Sequence, residues 1–341
     1  MRFFAAMMVV LLHTGSAWAE AHKMVPRPIV TFLLNGFMGV TFFLVLSGFL
    51  LQGLYRSRFG KPGSVGNFFV ARMARIYPVY LLSLIAILPF VISFDASGIP
   101  QFFMAQHWLP TEFSGFENWN MPAWTLSCEV FFYLFFPLVA PRMKTVPNAG
   151  LVSLGGACVI WMLVTWAPLV SNNSTVPAAW MRDIPVPFLR APEFLLGVVV
   201  GELGARGVYT RIPPSLIVIV LIAVMCSTGS GYAAAVMAVS SALLCSFFAS
   251  GRPSVVGRVL SLRLIVLLGG ASYSIYLLHL PIHFTLEVLG NGSKLVMALQ
   301  FPALIAIGVA VFVLFEEPMR ERVRRVAHMR KSAQAEVLAR S

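Results

Sequence analysis

The chain opens Met1-Arg2-Phe3-Phe4-Ala5-Ala6-Met7-Met8-Val9-Val10-Leu11-Leu12-His13-Thr14-Gly15. One guanidinium stands at the head of an apolar run and one imidazole lies deep inside it. At about 100° per residue, the eleven steps from Arg2 to His13 end within about 20° of whole turns, so the two share a helix face about 16 Å apart along the axis. An ionisable group inside a membrane segment is costly and marks a working site. The run ends Ala17-Trp18-Ala19-Glu20, which resembles a signal-peptide cleavage site. His13 is out of place in a signal core, so the stretch reads as a retained first membrane helix.

The rest of the chain repeats this pattern. Its 341 residues are 58% hydrophobic and 11% charged, whereas a soluble globular domain carries about 25% charged residues. Mean hydropathy is +0.83. About ten segments are long and apolar enough to be spans: 3–19, 33–54, 77–94, 123–140, 150–170, 188–205, 214–230, 232–250, 264–289 and 295–315. The fold class expected is all-α, a polytopic transmembrane helix bundle of about ten helices. With the N-terminus in the cytoplasm, 20 Lys and Arg fall on the inner side. Four fall outside, namely Lys23, Arg27, Arg182 and Lys294. That asymmetry puts both termini in the cytoplasm. It also gives the net charge of +12 a topological origin and excludes nucleic acid as a partner. Residues 1–320 form the membrane domain, and 321–341 a basic tail suited to anionic lipid.

Four motifs carry chemistry. Arg72-Met-Ala-Arg75 puts two guanidiniums on one helix face. With Arg2 they form an inner basic pocket for a polyanionic cofactor, because guanidiniums bind phosphate bidentately. Gly36-Phe-Met-Gly39-Val-Thr-Phe-Phe-Leu-Val-Leu-Ser47-Gly48 reads first as small-residue helix packing. In Trp124-Thr-Leu-Ser-Cys-Glu129-Val-Phe-Phe-Tyr133, the carboxylate needs an Arg or His partner or is carried neutral. Ser272-Tyr-Ser-Ile-Tyr-Leu-Leu-His279 brings a second intramembrane imidazole, with His283 one turn on. That pair has no HExxH pattern and no acidic third ligand in its segment except Glu287, one turn on, so no metal is expected and His279 reads as structural or proton-handling. Arg190 and Glu193, three apart, neutralise each other. The loop 95–122 holds Asp95, His107, Trp108, Glu112, Glu117 and Trp119 and no Lys or Arg. It is the candidate entry for an acceptor substrate. Cys128, Cys158, Cys226 and Cys245 sit in apolar stretches with no ligand spacing.

Taken in order from Arg2 and His13 to His279, these motifs resemble the acyltransferase-3 family of integral membrane acyltransferases. That family includes bacterial O-acetyltransferases of lipopolysaccharide, exopolysaccharide and Nod factors. One departure is the Leu-Asp-Gly-Leu that usually precedes the first Arg; here Met1 does. The resemblance implies acetyl-CoA (acyl-CoA) as donor on the cytoplasmic side of a bacterial inner membrane, with Arg2, Arg72 and Arg75 near the donor. It implies a catalytic His13 and an acidic residue at Glu129, with Trp124, Tyr133 and His279 on the substrate side. The expected reaction is transfer of an acyl group, acetyl first, to a hydroxyl of a cell-surface or exported glycan. The bilayer, acyl-CoA and the glycan acceptor are the partners, and homo-oligomerisation is left open. The alternative is a proton-coupled transporter using His13, Glu129 and His279 as a relay. The lack of visible internal repeats speaks against it.

Overall fold

The computed structural model describes residues 1–21, 24–91, 96–110, 119–171, 184–227, 232–291 and 293–323. Helices dominate, and no strand occurs among the described residues. The main helices are α1 (Arg2–Ala21), α2 (Arg27–Leu34), α3 (Met38–Tyr55), α4 (Ser64–Ile87), α5 (Trp124–Met143), α6 (Asn148–Ser171), α7 (Val186–Ala205), α8 (Pro214–Cys226), α9 (Tyr232–Ala249), α10 (Arg263–Gly290) and α11 (Lys294–Val311). A helix-only fold is what hydrocarbon permits, since each backbone N–H and C=O must be satisfied within the chain.

Helices occupy all ten of the expected segments. Among the described residues, six helices are long and apolar enough to cross a membrane: Arg27–Tyr55, Ser64–Phe90, Met121–Met143, Asn148–Thr165, Arg263–Gly290 and Leu299–Val323. Helix α7 is as long as these but is interrupted by Arg190, Glu193 and Glu202. The helix expected at 77–94 begins earlier, at Ser64, after Gly63 in the left-handed region at φ 70°. Arg72 and Arg75 therefore ride on α4 itself and not on the loop before it. Asp95, Glu112, Glu117, Lys23, Arg182 and tail residues 324–341 lie outside the described residues. So do the side chains of Trp18, Glu20 and Lys294.

The bundle is centred on α3. Where it crosses α7, a Cβ on Gly48 would overlap the carbonyl of Phe194, and one on Gly197 would overlap the carbonyl of Val45. Where α1 lies on α3, a Cβ on Gly39 would strike the Ala5 carbonyl, and one on Gly36 the Met8 carbonyl. The backbones are in direct contact, as small residues permit in membranes. This confirms the packing reading of the Gly36–Gly48 stretch. Helix α1 also packs along α10, where Val10, Ala271, Ile275 and Leu304 form one apolar cluster.

One ionic clamp joins the ends of three helices. The buried Glu202 of α7 accepts from Arg56 Nε at 2.8 Å, Arg206 Nε at 2.9 Å and Gln52 Nε2 at 2.8 Å. Arg206 also donates to the carbonyls of Met143 and Val146, each at 2.8 Å, and so holds the end of α5.

Replacing Gly48 by Ala should lower the melting temperature in detergent by the equivalent of about 1–3 kcal/mol. Gly53→Ala, on the same helix with nothing within 4 Å of its Cβ position, should leave it unchanged. Equal melting of the two variants would refute the close crossing.

Candidate functional site

The residues singled out on α1, α4 and α5 converge. Arg2, Arg72, Arg75, Glu129 and Tyr133 line one cavity, together with Ser47 and Tyr273. Its free volume is small, about 70 Å³. Two helices distant in sequence, α1 and α4, thus bring three guanidiniums to one space, and α5 adds Glu129 and Tyr133. Arg72 Nη2 donates to Tyr55 Oη at 3.4 Å, its guanidinium lies 5.5 Å from the Tyr55 ring centroid, and among the described residues its buried Nε has no partner. Among the described residues, no carboxylate oxygen lies within 4.0 Å of Arg2, Arg72 or Arg75. Clustered like charges with no ion-pair partner form an electrostatic site for an anion.

Glu129 takes the Tyr133 hydroxyl, Oη to Oε2 3.1 Å, one turn away on α5. The expected Arg or His contact is replaced by that phenol, with the guanidiniums across the cavity. A second carboxylate approaches the basic group. Glu316 is 4% exposed and accepts from Ser274 Oγ at 2.7 Å. Arg2 and Arg75 act on it electrostatically. It ends a π-helical turn, Phe312–Glu316; such turns recur at functional sites. The pair Glu316-Glu317 is visible in sequence, but the π turn is not.

His13 and His279 meet. His13 Nδ1 lies 2.8 Å from His279 Nε2, and the ring planes are within 5° of parallel. His279 is 1% exposed, and its Nδ1 lies 2.5 Å from the Tyr276 carbonyl. Both of its ring nitrogens are occupied by protein, so it faces His13 and not an open surface. Spacing within α10 singled out His283 as its neighbour. His283 turns instead to Gln300 Oε1, at 2.9 Å. Among the described residues no group of three potential metal ligands occurs.

Pro281 explains how the loop before α5 reaches this point. It has no N–H, so the Leu277 carbonyl loses its helical donor. Asn120 Nδ2 donates to that carbonyl at 3.0 Å and also to Ser83 Oγ at 3.1 Å. Tyr276 Oη donates to the Pro122 carbonyl at 2.9 Å. The end of the 95–122 loop is therefore fastened to α10 within a turn of His279. His107, in that loop, donates its backbone N–H to Ser127 Oγ. Among the described residues its ring nitrogens have no partner, and burial holds the ring below the usual imidazole range.

Trp124 lies elsewhere. Its ring is 5.6 Å from the Arg190 guanidinium. Arg190 pairs with Glu193 at 3.0 Å and donates to Thr41 Oγ1 at 3.1 Å. Both charges are buried and neutralise each other, as their spacing suggested. Breaking such a pair strands a charge at a cost of about 3–5 kcal/mol. Arg190→Met should therefore cut thermal stability sharply, and Arg190→Met with Glu193→Gln should restore most of it. A double variant no more stable than the single one would show that the pair is not the determinant.

Comparison with known proteins bears on what this site does. A family model described as an acyltransferase domain matches residues 1–317. Acyltransferase MdmB of Streptomyces mycarofaciens is 29% identical over 230 residues, 61% of this chain and 57% of that protein. The exopolysaccharide production protein ExoZ of Rhizobium meliloti is 28% identical over 319 residues, 85% and 92% of the two chains. The peptidoglycan O-acetyltransferase OatA of Listeria monocytogenes is 24% identical over 191 residues, 49% of this chain and 28% of that protein. The match thus spans little more than half of MdmB and under a third of the Listeria OatA. No solved structure matches the chain.

Proposed function

The chain belongs to the acyltransferase-3 family, and from that premise we propose that it is a multi-pass membrane O-acyltransferase that moves an acetyl group from acetyl-CoA to a hydroxyl of a cell-surface or exported glycan. The observation that carries this reading is the cavity of Arg2, Arg72 and Arg75. Its three guanidiniums lack a carboxylate within ion-pair distance among the described residues. A coenzyme with several phosphates supplies the missing charge. The relatives named acyltransferase and O-acetyltransferase support the reaction class. ExoZ, named for exopolysaccharide production, supports a glycan as acceptor.

The chemistry follows from placing donor and base on one helix. Arg2 stands at one end of α1 and His13 about 16 Å further along the same face, a span suited to the extended pantetheine arm of coenzyme A. The phosphates rest on the guanidiniums and the thioester reaches toward His13. As a general base, His13 takes the proton of the acceptor hydroxyl while its oxygen bonds to the acyl carbon. The carbon–sulfur bond breaks and the thiolate leaves with coenzyme A. If His13 carries the acyl group instead, the same ring nitrogen attacks first and the hydroxyl second. We place the donor side in the cytoplasm and the acceptor side across the membrane, with about ten spans, on the distribution of Lys and Arg.

Coenzyme A should raise the melting temperature of the purified protein, and Arg72→Ala with Arg75→Ala should abolish that rise. His13→Ala should keep the rise and lower acyl transfer by about 10²–10⁴-fold. Transfer is read by mass spectrometry of the surface glycan in cells with matched protein levels. Unchanged glycan acylation in the His13→Ala cells would sink the proposal. So would a coenzyme A response indifferent to the arginines, which would favour a transporter.

A further inference from the structure

His279 has no freedom in how it carries its proton. Its Nδ1 lies 2.5 Å from the Tyr276 carbonyl oxygen, which can only accept. Nδ1 therefore bears the hydrogen. The ring is 1% exposed, and among the described residues no carboxylate lies within 4.0 Å of it. An uncompensated imidazolium there is strongly disfavoured, so the ring is neutral and its Nε2 is a lone pair. That lone pair faces His13 Nδ1 at 2.8 Å, and it can only be satisfied if His13 Nδ1 bears the hydrogen. In a neutral His13 the lone pair then falls on Nε2. Among the described residues Nε2 of His13 makes no hydrogen bond, and it is not among the occluded unpartnered atoms.

We propose that His279 is a positioning residue that locks His13 in the tautomer whose Nε2 lone pair is free to take a proton or an acyl group. The proposal rests on the reading of His13 as the reactive base and adds the device that prepares it. The hydrogen bonds run one way, from His13 Nδ1–H to His279 Nε2 and from His279 Nδ1–H to the Tyr276 carbonyl. In water-filled sites a buried carboxylate orients the catalytic imidazole and stabilises its charged form. Within a membrane helix a carboxylate costs several kcal/mol. A neutral imidazole grounded on a backbone carbonyl sets the same tautomer without adding a charge.

The relay is held on both sides. Gly36 and Gly39 bring α3 against the backbone of α1 and leave it no slack. On α10, the Tyr276 hydroxyl is tied to Pro122, and the carbonyl freed by Pro281 is tied to Asn120. The α10 backbone that carries His279 therefore cannot shift without breaking bonds to the loop before α5.

The test reads the tautomer directly. Protein labelled with ¹⁵N-histidine carries six histidines, and the difference spectrum against His13→Gln assigns the His13 ring. Wild-type His13 should show a protonated Nδ1 and an unprotonated Nε2. In His279→Phe, which cannot accept the bond, the Nε2-protonated form should dominate. In glycan acylation, His279→Phe should lower turnover by about 10²-fold or more, with half-saturation by acetyl-CoA unchanged. His279→Gln, whose side-chain oxygen can accept the same bond, should recover most of that turnover. An Nε2-protonated His13 in the wild type would overturn the proposal. So would full turnover in His279→Phe, a loss confined to acetyl-CoA saturation, or a Gln variant as inactive as Phe. The wild-type spectrum decides even if His279→Phe does not fold. It is also independent of whether the transfer reaction is found, so failure of the enzymatic reading and failure of the relay are told apart.

Discussion

The backbone contact between α3 and its neighbours through glycine is the constraint on which the rest depends. Within a bilayer, helices gain little from burying apolar side chains against one another, because lipid tails are equally apolar. Close approach and satisfied polar groups must hold the bundle. Gly48 and Gly197 let α3 and α7 touch at the carbonyls of Phe194 and Val45. Gly36 and Gly39 do the same for α1. With α1 seated there, Arg2 and His13 gain fixed surroundings. Arg2 joins Arg72 and Arg75 at one cavity, and His13 meets His279.

The charged groups divide into two kinds by whether, among the described residues, each meets an opposite charge at ion-pair distance. Arg190 with Glu193, and Glu202 with Arg56 and Arg206, are sets in which charge meets opposite charge within 3.0 Å. They fasten helix to helix. The guanidiniums at the cavity are different. Among the described residues Arg72 keeps a buried Nε without a partner, and Glu129 is engaged by a phenol and not by an arginine. Partly buried charge gathered without an opposite charge at ion-pair distance is costly, and that cost is the reason to read it as a binding site.

Much of this can be read along the chain wherever the decisive groups lie on one helix. Arg2 and His13 share a face by helical arithmetic. Arg72 and Arg75 do so at three residues' spacing, and Arg190 with Glu193 likewise. Each relation is local, and each reappears in three dimensions. The His13–His279 contact is not local. It joins residues 266 apart, and spacing within α10 pointed to His283, which turns to Gln300. Glu316 was legible in part: the Glu316-Glu317-Pro318 run that closes the last helix reads as meeting the basic inner surface, and Arg2 and Arg75 act on Glu316, while the π turn that carries it is not visible in the sequence. Trp124 was grouped with the substrate side from its motif, and it lies against the Arg190 guanidinium.

The sequence by itself determined that this is a membrane helix bundle, that its ionisable residues sit inside apolar segments, and which of them share a face. Hydropathy and a period of 3.6 residues are sufficient for that. Only the tertiary structure decided which faces meet, because crossings are set by shape complementarity between distant glycines and carbonyls. From those crossings come the gathering of three arginines at one cavity and the pairing of two histidines. The tautomer they impose also follows, since a ring's proton is placed by the partner it is brought against.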